Sequence, residues 1–111
     1  MDTMIIMTSE GLGSGNEELG RRLTTKFLHH LSSVASKPQA IGFYNGAVKL
    51  LTASSAVLGI LKALEADGVD ILACGTCVDH YGLRDTLAVG RVSDMREIVS
   101  AMMASAKVVT V

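Results

Sequence analysis

The stretch Met4-Ile5-Ile6-Met7-Thr8 indicates the fold class, because a short apolar run before a Gly-rich turn is typical of a strand buried in a parallel sheet. The pattern changes after Glu17, where apolar residues recur at three- to four-residue steps: Leu19, Leu23, Phe27, Leu28 and Leu31. This spacing predicts an amphipathic helix that ends near Val34. The chain is therefore expected to begin with a strand followed by a helix.

The same alternation continues to the end of the chain. Pro38 cannot continue a helix, so Ala40 to Tyr44 is predicted as a second strand that ends at the turn Asn45-Gly46. The other predicted strands are Val69 to Ala73, Leu87 to Val89 and Lys107 to Val111. A second helix is predicted with Ser54 or Ser55 as its cap and Asp67-Gly68 as its end, and a short third helix at Val78 to Tyr81. A fourth helix is predicted to start at Ser93 or Asp94. Its apolar face consists of Met95, Ile98, Val99, Met102 and Met103.

Strands that alternate with helices through short connections predict an α/β fold. We expect a three-layer α/β/α sandwich with a five-stranded, mainly parallel sheet, of flavodoxin-like general build. No linker or repeat interrupts the pattern, so residues 1–111 are expected to form a single domain. Reacting groups in such sheets collect beyond the carboxyl ends of the strands, which directs attention to the loops after Thr8, Asn45 and Ala73.

Charge and hydropathy narrow the classes of partner. Ten Lys and Arg residues against eleven Asp and Glu residues favour neither nucleic acid nor an anionic membrane as partner. The uncharged stretch Leu50 to Leu61 is shorter than the roughly 18 residues that span a bilayer. The start Met1 to Met4 lacks the features of a secretory signal, so a cytoplasmic location is expected. A mean hydropathy of +0.39 with few aromatic residues indicates apolar surface that contacts another subunit.

The motif Cys74-Gly75-Thr76-Cys77 is the strongest chemical signal. Helix-terminal N–H groups near the motif would stabilise a thiolate, which is the reactive form of cysteine. Gly75 is expected to allow a tight turn and Thr76 to cap the helix that follows. Two cysteines three residues apart also allow one to hold a persulfide or mixed disulfide while the other resolves it.

Two other kinds of site use cysteines at this spacing. A thioredoxin-type site would be expected at the first strand-to-helix turn, beside an aromatic residue and opposite a cis-proline, whereas this motif follows the third strand. A dithiol oxidoreductase therefore remains an alternative. A structural zinc site needs four ligands, and Cys74, Cys77 and His80 provide three, so no metal is expected. No cofactor is predicted.

Other polar residues have supporting roles. His80 is close enough in sequence to Cys77 to promote its thiolate or to donate a proton. Asp79 and Tyr81 are expected to shape the same loop. The Gly-rich loop is a possible anion-binding site, although its spacing matches neither a Walker loop nor a dinucleotide fingerprint. Its candidate residues are Gly11, Gly13, Ser14 and Gly15.

Taken as a set, these motifs resemble a known family. The stretches that carry the resemblance are Ser9 to Gly15, Glu18 to Gly20, Asn45-Gly46, Gly68-Val69, Cys74 to Leu83, Val89-Gly90 and Asp94-Met95. The chain resembles the DsrE-like sulfur-relay family over essentially its whole length, and within that family the DsrE-like domain of YedF-type selenium-metabolism proteins. The segment Cys74 to Leu83 is the most specific part.

The resemblance implies a parallel α/β fold, homo-oligomers such as trimers or hexamers, and a cysteine that carries sulfur as a persulfide. It places the carrier at Cys74, seven residues before Tyr81-Gly82, where more distant members have Arg-Gly. Tyr81 removes the cation of that pair, and Arg84 is close enough in sequence to replace it. Asp94 also stands where these domains usually have Asn. YedF-type proteins usually carry a TusA-like domain, so a separate TusA-like protein is an expected sulfur donor here.

The resulting hypothesis is a cytoplasmic sulfur-relay protein that accepts and donates sulfur, or selenium, through Cys74, with Cys77 releasing or regenerating it. Its partners would be sulfur-donor and sulfur-acceptor proteins. Two alternatives stay open: a CxxC thiol-disulfide oxidoreductase, and a non-catalytic oligomeric module that binds a small anion. Whether the protein turns over as a sulfurtransferase is also open.

Overall fold

Five short strands form one sheet in the computed structural model, which describes residues 3–111. They are β1 (Thr3–Met7), β2 (Ala40–Phe43), β3 (Asp70–Cys74), β4 (Arg91–Ser93) and β5 (Lys107–Thr110). The spatial order is β4-β3-β2-β1-β5, and every neighbouring pair is parallel. The predicted α/β fold with a five-stranded parallel sheet is therefore confirmed.

Four α-helices connect the strands, together with 3₁₀ helices at Asn45–Leu51 and Arg84–Thr86. The α-helices are α1 (Glu17–Leu31), α2 (Leu58–Ala66), α3 (Gly75–His80) and α4 (Met95–Ala104). Side-chain oxygens of Asn16 and Asp94 each accept a backbone N–H at 2.8 Å and so cap α1 and α4. Across residues 3–111, no helix has both the length and the apolar character needed to cross a bilayer.

The alternating strand residues form two apolar clusters, one on each face of the sheet. The larger cluster joins the sheet to α1 through Leu28 and to α2 through Leu61 and Leu64. The smaller cluster joins the opposite face to Ile98 of α4, and its strand residues are Met4, Ile6, Ala40, Leu72 and Cys74. The expected layers, helices on both faces of one sheet, are thus present.

The position of the fourth strand differs most from the prediction. It was predicted at Leu87 to Val89, but the structure has it at Arg91–Ser93. Ala88 instead donates its N–H to the Leu51 carbonyl at 2.8 Å, which holds this segment against the end of the 3₁₀ helix Asn45–Leu51. Gly90 then turns the chain with a φ of 78°. The strand begins after this turn, where the Arg91 guanidinium donates hydrogen bonds to the Asp70 carboxylate of β3.

Three helix boundaries also differ from the predictions. Helix α1 ends at Leu31 rather than near Val34, because the hydroxyls of Ser32 and Ser33 donate to the His29 carbonyl and compete with the helix pattern. Helix α2 begins at Leu58, and its N-cap is Val57. Ser55 lies in the turn just before the helix, where its Oγ accepts a hydrogen bond from the N–H of Val57 at 3.2 Å. Helix α3 begins at Gly75, not at Val78.

Candidate functional site

The two cysteines lie where β3 passes directly into α3. Cys74 is the last residue of β3 and the N-cap of α3, and Cys77 lies in the first turn of the helix. Both are free thiols. No loop separates the strand from the helix, so the expected role of Thr76 as a cap is wrong: Thr76 is an exposed residue within α3. The motif is instead held between two regular elements.

Solvent access separates the two thiols. Cys74 is 1% exposed and packs in the smaller apolar cluster with Ile98 of α4. Cys77 is partly exposed and contacts both clusters at their border. A donor that approaches from solvent therefore reaches the sulfur of Cys77 more easily than that of Cys74.

Asn45 supplies a hydrogen bond to the accessible sulfur. Its backbone N–H points at Sγ of Cys77, with a nitrogen-to-sulfur distance of 3.0 Å. Asn45 has a φ of 48°, in the left-handed region that asparagine tolerates better than most residues. The hydroxyl of Tyr81 donates to Oδ1 of Asn45 at 2.7 Å. This contact links the turn after β2 to the end of α3 and holds the N–H donor in place.

The pKa of Cys77 is raised above the ordinary thiol value. Burial is the main cause, and the neighbouring Cys74 thiol acts in the same direction, while the Asn45 N–H opposes them. Tyr44 lies close to both thiols, and the pKa of its hydroxyl is raised by burial and then by the two cysteines. The surroundings of Cys77 thus favour its neutral thiol over its thiolate.

Gly75 gives β4 room to approach α3. A Cβ at this position would lie 2.8 Å from the carbonyl oxygen of Ser93, closer than packed atoms come. Gly75 does not have a positive φ, so the predicted reason for this glycine, a tight turn, is replaced by close packing against β4. A side chain at this position would push α3, with Cys77, away from the sheet.

Asp79 and Arg84 form an ion pair beside the site. Nε and Nη2 of Arg84 donate to the two carboxylate oxygens of Asp79 at 2.6 and 3.1 Å. The guanidinium lowers the pKa of the Asp79 carboxyl. Arg84 also lies near Gly75, since its Nη2 would be 3.6 Å from a Cβ built there. The cation that was expected to replace the missing arginine is therefore close to the motif, with its charge balanced by Asp79.

His80 lies on the exposed side of α3 and packs edge-on against Tyr81, with ring centroids 5.0 Å apart. None of the hydrogen bonds found in residues 3–111 joins His80 to Cys74 or Cys77. Within that same part of the chain, no three His, Cys, Asp or Glu side chains come close enough together to hold a metal ion. The suggested proton transfer by His80 stays a prediction.

The Gly-rich loop lies against the start of α1, where Leu12 donates its N–H to the Gly20 carbonyl at 3.1 Å. The loop lines a small cavity of about 260 Å³ with Arg21, and its candidate residues Gly11, Gly13, Ser14 and Gly15 all contribute. Neither cysteine lines this cavity. Its use for an anion also stays a prediction.

Sequence reasoning did not assign a site role to Tyr44, Asn45 or Lys49. Nζ of Lys49 lies 4.4 Å from the centroid of the Tyr81 ring, which places its charge next to the Asn45 contact. These residues follow β2, whose carboxyl end lies beside that of β3 in the sheet. The turn Asn45-Gly46 was the available signal, but its position beside Cys77 depends on the order of the strands.

Known structures share this fold. The YchN protein from E. coli superposes with a TM-score of 0.70 at 16% identity, and the alignment covers 100% of both chains. The protein MTH1491 from Methanobacterium thermoautotrophicum has a TM-score of 0.68 at 18% identity, with 100% of both chains covered. BT1422 from Bacteroides thetaiotaomicron has a TM-score of 0.68 at 16% identity, over 99% of this chain and 95% of its own.

At these identities the structural neighbours support the fold alone. No curated protein matches the sequence. The sequence profile of the DsrE/DsrF-like family, however, matches residues 3–111, which include every strand, every helix and both cysteines of the site. The chain therefore belongs to the DsrE/DsrF-like family.

Proposed function

We propose that this protein is a sulfur carrier that holds a persulfide on Cys77, with Cys74 as its buried second thiol. The observation that carries the proposal is that Cys77 is a partly exposed residue whose sulfur accepts the Asn45 N–H at 3.0 Å. Membership of the DsrE/DsrF-like family, which is linked to sulfur relay, supports the class of chemistry. Because Cys74 is 1% exposed, the geometry favours Cys77 over Cys74 for the first attack.

Sulfur transfer requires no external oxidant or reductant. The Cys77 thiolate attacks the outer sulfur of a donor persulfide, the donor S–S bond breaks, and its electron pair leaves with the donor as a thiolate. An acceptor thiolate then attacks the outer sulfur on Cys77 in the same way and regenerates the Cys77 thiolate. The Asn45 N–H stabilises the anionic sulfur of Cys77 each time it forms.

Cys74 provides a second reaction for the persulfide on Cys77. Its thiolate can attack the inner sulfur of the Cys77 persulfide, which forms a Cys74–Cys77 disulfide and expels hydrosulfide. The disulfide must afterwards be reduced by a thiol. We assign Cys74 this release role when no acceptor is bound.

The biological setting is part of the proposal. Donor and acceptor are sulfur-relay proteins, with a separate TusA-like protein as one candidate donor, and selenium is an alternative cargo. Two free cysteines suit a reducing compartment, and we place the protein in the cytoplasm. We also propose a homo-oligomer, since Met95, Val99 and Met103 of α4 are exposed apolar side chains. The closer resemblance to YedF-type domains stays a prediction.

A thiol-disulfide oxidoreductase is the second candidate, because Cys74 lies close enough to raise the pKa of the Cys77 thiol and both thiols are free. Intact mass spectrometry after treatment of the reduced protein with a persulfide donor separates the two functions. A carrier gains one sulfur mass per chain, and in the Cys74→Ser variant, which cannot form the disulfide, this mass persists until a thiol acceptor removes it. Loss of two hydrogens without a loaded intermediate would instead establish the oxidoreductase.

A further inference from the structure

A cleft with both polar and apolar lining residues includes Tyr81, which also contacts the cysteine site, and it has no role in the transfer chemistry described so far. Its volume is about 560 Å³, within the range of roughly 300–1,000 Å³ typical of small-molecule sites. We call it the Arg21–Lys49 cleft, and its polar lining includes Glu10, Arg21, Thr25, Lys49, Ser54 and Tyr81. These residues follow β1, β2 and β3, so the cleft opens at the carboxyl edge of the sheet.

The two cations of the cleft keep their hydrogen-bond donors available. Nζ of Lys49 lies 3.9 Å from Glu10, and Nη1 of Arg21 lies 3.9 Å from Glu17. Both separations exceed the length of a hydrogen bond. The lining of the cleft thus holds two cations and one carboxylate, Glu10, which forms a loose ion pair with Lys49. This charge pattern fits a ligand with carboxylates and one ammonium group, as in an amino acid or a short peptide.

The cleft shares a wall with the cysteine site. Tyr81 lines the cleft, and its hydroxyl bonds to Asn45, whose backbone N–H reaches Cys77. Lys49 lies over the ring of the same tyrosine. Neither cysteine lines the cleft, and Tyr81 is the residue through which the cleft is joined to the Asn45 turn beside Cys77.

We propose that the Arg21–Lys49 cleft binds the charged end of a low-molecular-weight persulfide of amino-acid or peptide type and presents its outer sulfur to Cys77. This inference rests on the proposed function. The Cys77 thiolate forms a bond to the outer sulfur, the S–S bond of the small persulfide breaks, and the small thiol leaves as a thiolate. The protein would then accept sulfur directly from a small molecule as well as from a protein.

Two persulfides that differ in charge test the cleft. Glutathione persulfide carries carboxylates and an ammonium group, whereas the persulfide of 2-mercaptoethanol carries neither. Loading of Cys77 is followed by intact mass over time for the wild type and for the double variant Arg21→Gln/Lys49→Gln. We expect the variant to load about tenfold more slowly from glutathione persulfide and at an unchanged rate from the neutral persulfide. Arg22→Gln removes a neighbouring exposed charge of α1 that does not line the cleft, and it should match the wild type.

A binding experiment in which no sulfur is transferred distinguishes this inference from the proposed function. Reduced glutathione is titrated into the Cys74→Ser/Cys77→Ser variant, with and without Arg21→Gln/Lys49→Gln, and its binding is followed by nuclear magnetic resonance. Weaker glutathione binding in the variant without the two cations would support the cleft even if no persulfide loads the wild type. Failure of the wild type to load would count against the carrier function alone. Equal loading rates from both persulfides in all variants, or no binding of glutathione, would overturn the inference.

Discussion

Cys74 and Cys77 are three residues apart but meet different surroundings, because one ends a buried strand and the other lies on the first turn of a helix. The sequence motif predicts a reactive pair, whereas the packing distinguishes its members. Burial in the cluster beneath α4 shields Cys74, whereas Cys77, at the border of the two clusters, is a partly exposed residue. The difference in solvent access between the two thiols is thus a consequence of where β3 stops.

Alkylation rates should reveal this difference. We expect iodoacetamide to label the Cys74→Ser variant, which retains Cys77, at least about tenfold faster than the Cys77→Ser variant, which retains Cys74. Both rates are measured on folded protein, with labelling in denaturant as the control that should make the variants equal. Faster labelling of Cys74 in the folded protein would reverse the assigned roles.

The reactivity of Cys77 should depend on pH in a defined direction. Because burial raises its pKa, the thiolate fraction keeps increasing above the ordinary thiol value of about 8.5. The labelling rate of folded Cys74→Ser protein should therefore level off at a higher pH than that of the unfolded protein. A plateau at lower pH in the folded protein would show that the Asn45 N–H outweighs burial.

The same shift affects stability. A raised pKa means that the folded state favours the neutral thiol over the thiolate. This contribution is present below the unfolded pKa and is lost as the pH rises from there through the folded pKa. The protein should accordingly become less stable as the solution becomes more alkaline across that interval, and Cys77→Ser should reduce the loss.

At the scale of elements, the start of β4 depends on Gly90. Its φ is 78°, and a Cβ there would lie 2.6 Å from Cγ2 of Ile71. Gly90→Ala should cost about 2–4 kcal/mol, from left-handed strain together with overpacking. Gly59 lies exposed in α2 with open space around it, so Gly59→Ala should stabilise the protein by about 0.5–1 kcal/mol. Urea unfolding checks both values, and equal effects of the two substitutions would contradict this account.

The spacing of apolar residues predicts the type of most elements correctly, and it fails where tertiary contacts determine the local structure. The apolar runs of β1 and β3 and the spacing in α1 predict their types correctly, since burial alone sets these patterns. The apolar segment Leu87 to Val89 has the composition of a strand, yet it bonds to Leu51 outside the parallel sheet. The cysteine pair was visible as a motif, whereas the roles of Tyr44 and Asn45 require the adjacency of β2 and β3.

At the scale of the whole molecule, the sheet order brings the carboxyl ends of β1, β2 and β3 side by side. The cysteine site and the Arg21–Lys49 cleft therefore lie on the same edge. Within the described residues, α4 covers the second face of the sheet, and Met103 of that helix is 82% exposed. This apolar surface supports the proposed homo-oligomer.

Light scattering coupled to gel filtration tests the assembly. The wild type should elute with a mass that is a multiple of the 11.7 kDa chain. Met103→Glu should lower that mass or make it depend on concentration, because a charge would enter the apolar contact. Ala63→Glu places the same charge on the exposed side of α2 and should change nothing. A wild-type mass of one chain at high concentration would refute the oligomer.

The most direct test of the carrier role compares the wild type, Cys74→Ser and Cys77→Ser after reaction with the same persulfide donor. Intact mass before and after a thiol acceptor is added measures sulfur gained and sulfur passed on. We predict that Cys74→Ser gains one sulfur mass per chain and passes it to the acceptor, and that Cys77→Ser gains none. The wild type should gain the same mass transiently, until Cys74 expels the sulfur as hydrosulfide and forms the Cys74–Cys77 disulfide. Full loading of Cys77→Ser with no loading of Cys74→Ser would contradict the assignment of the carrier sulfur to Cys77.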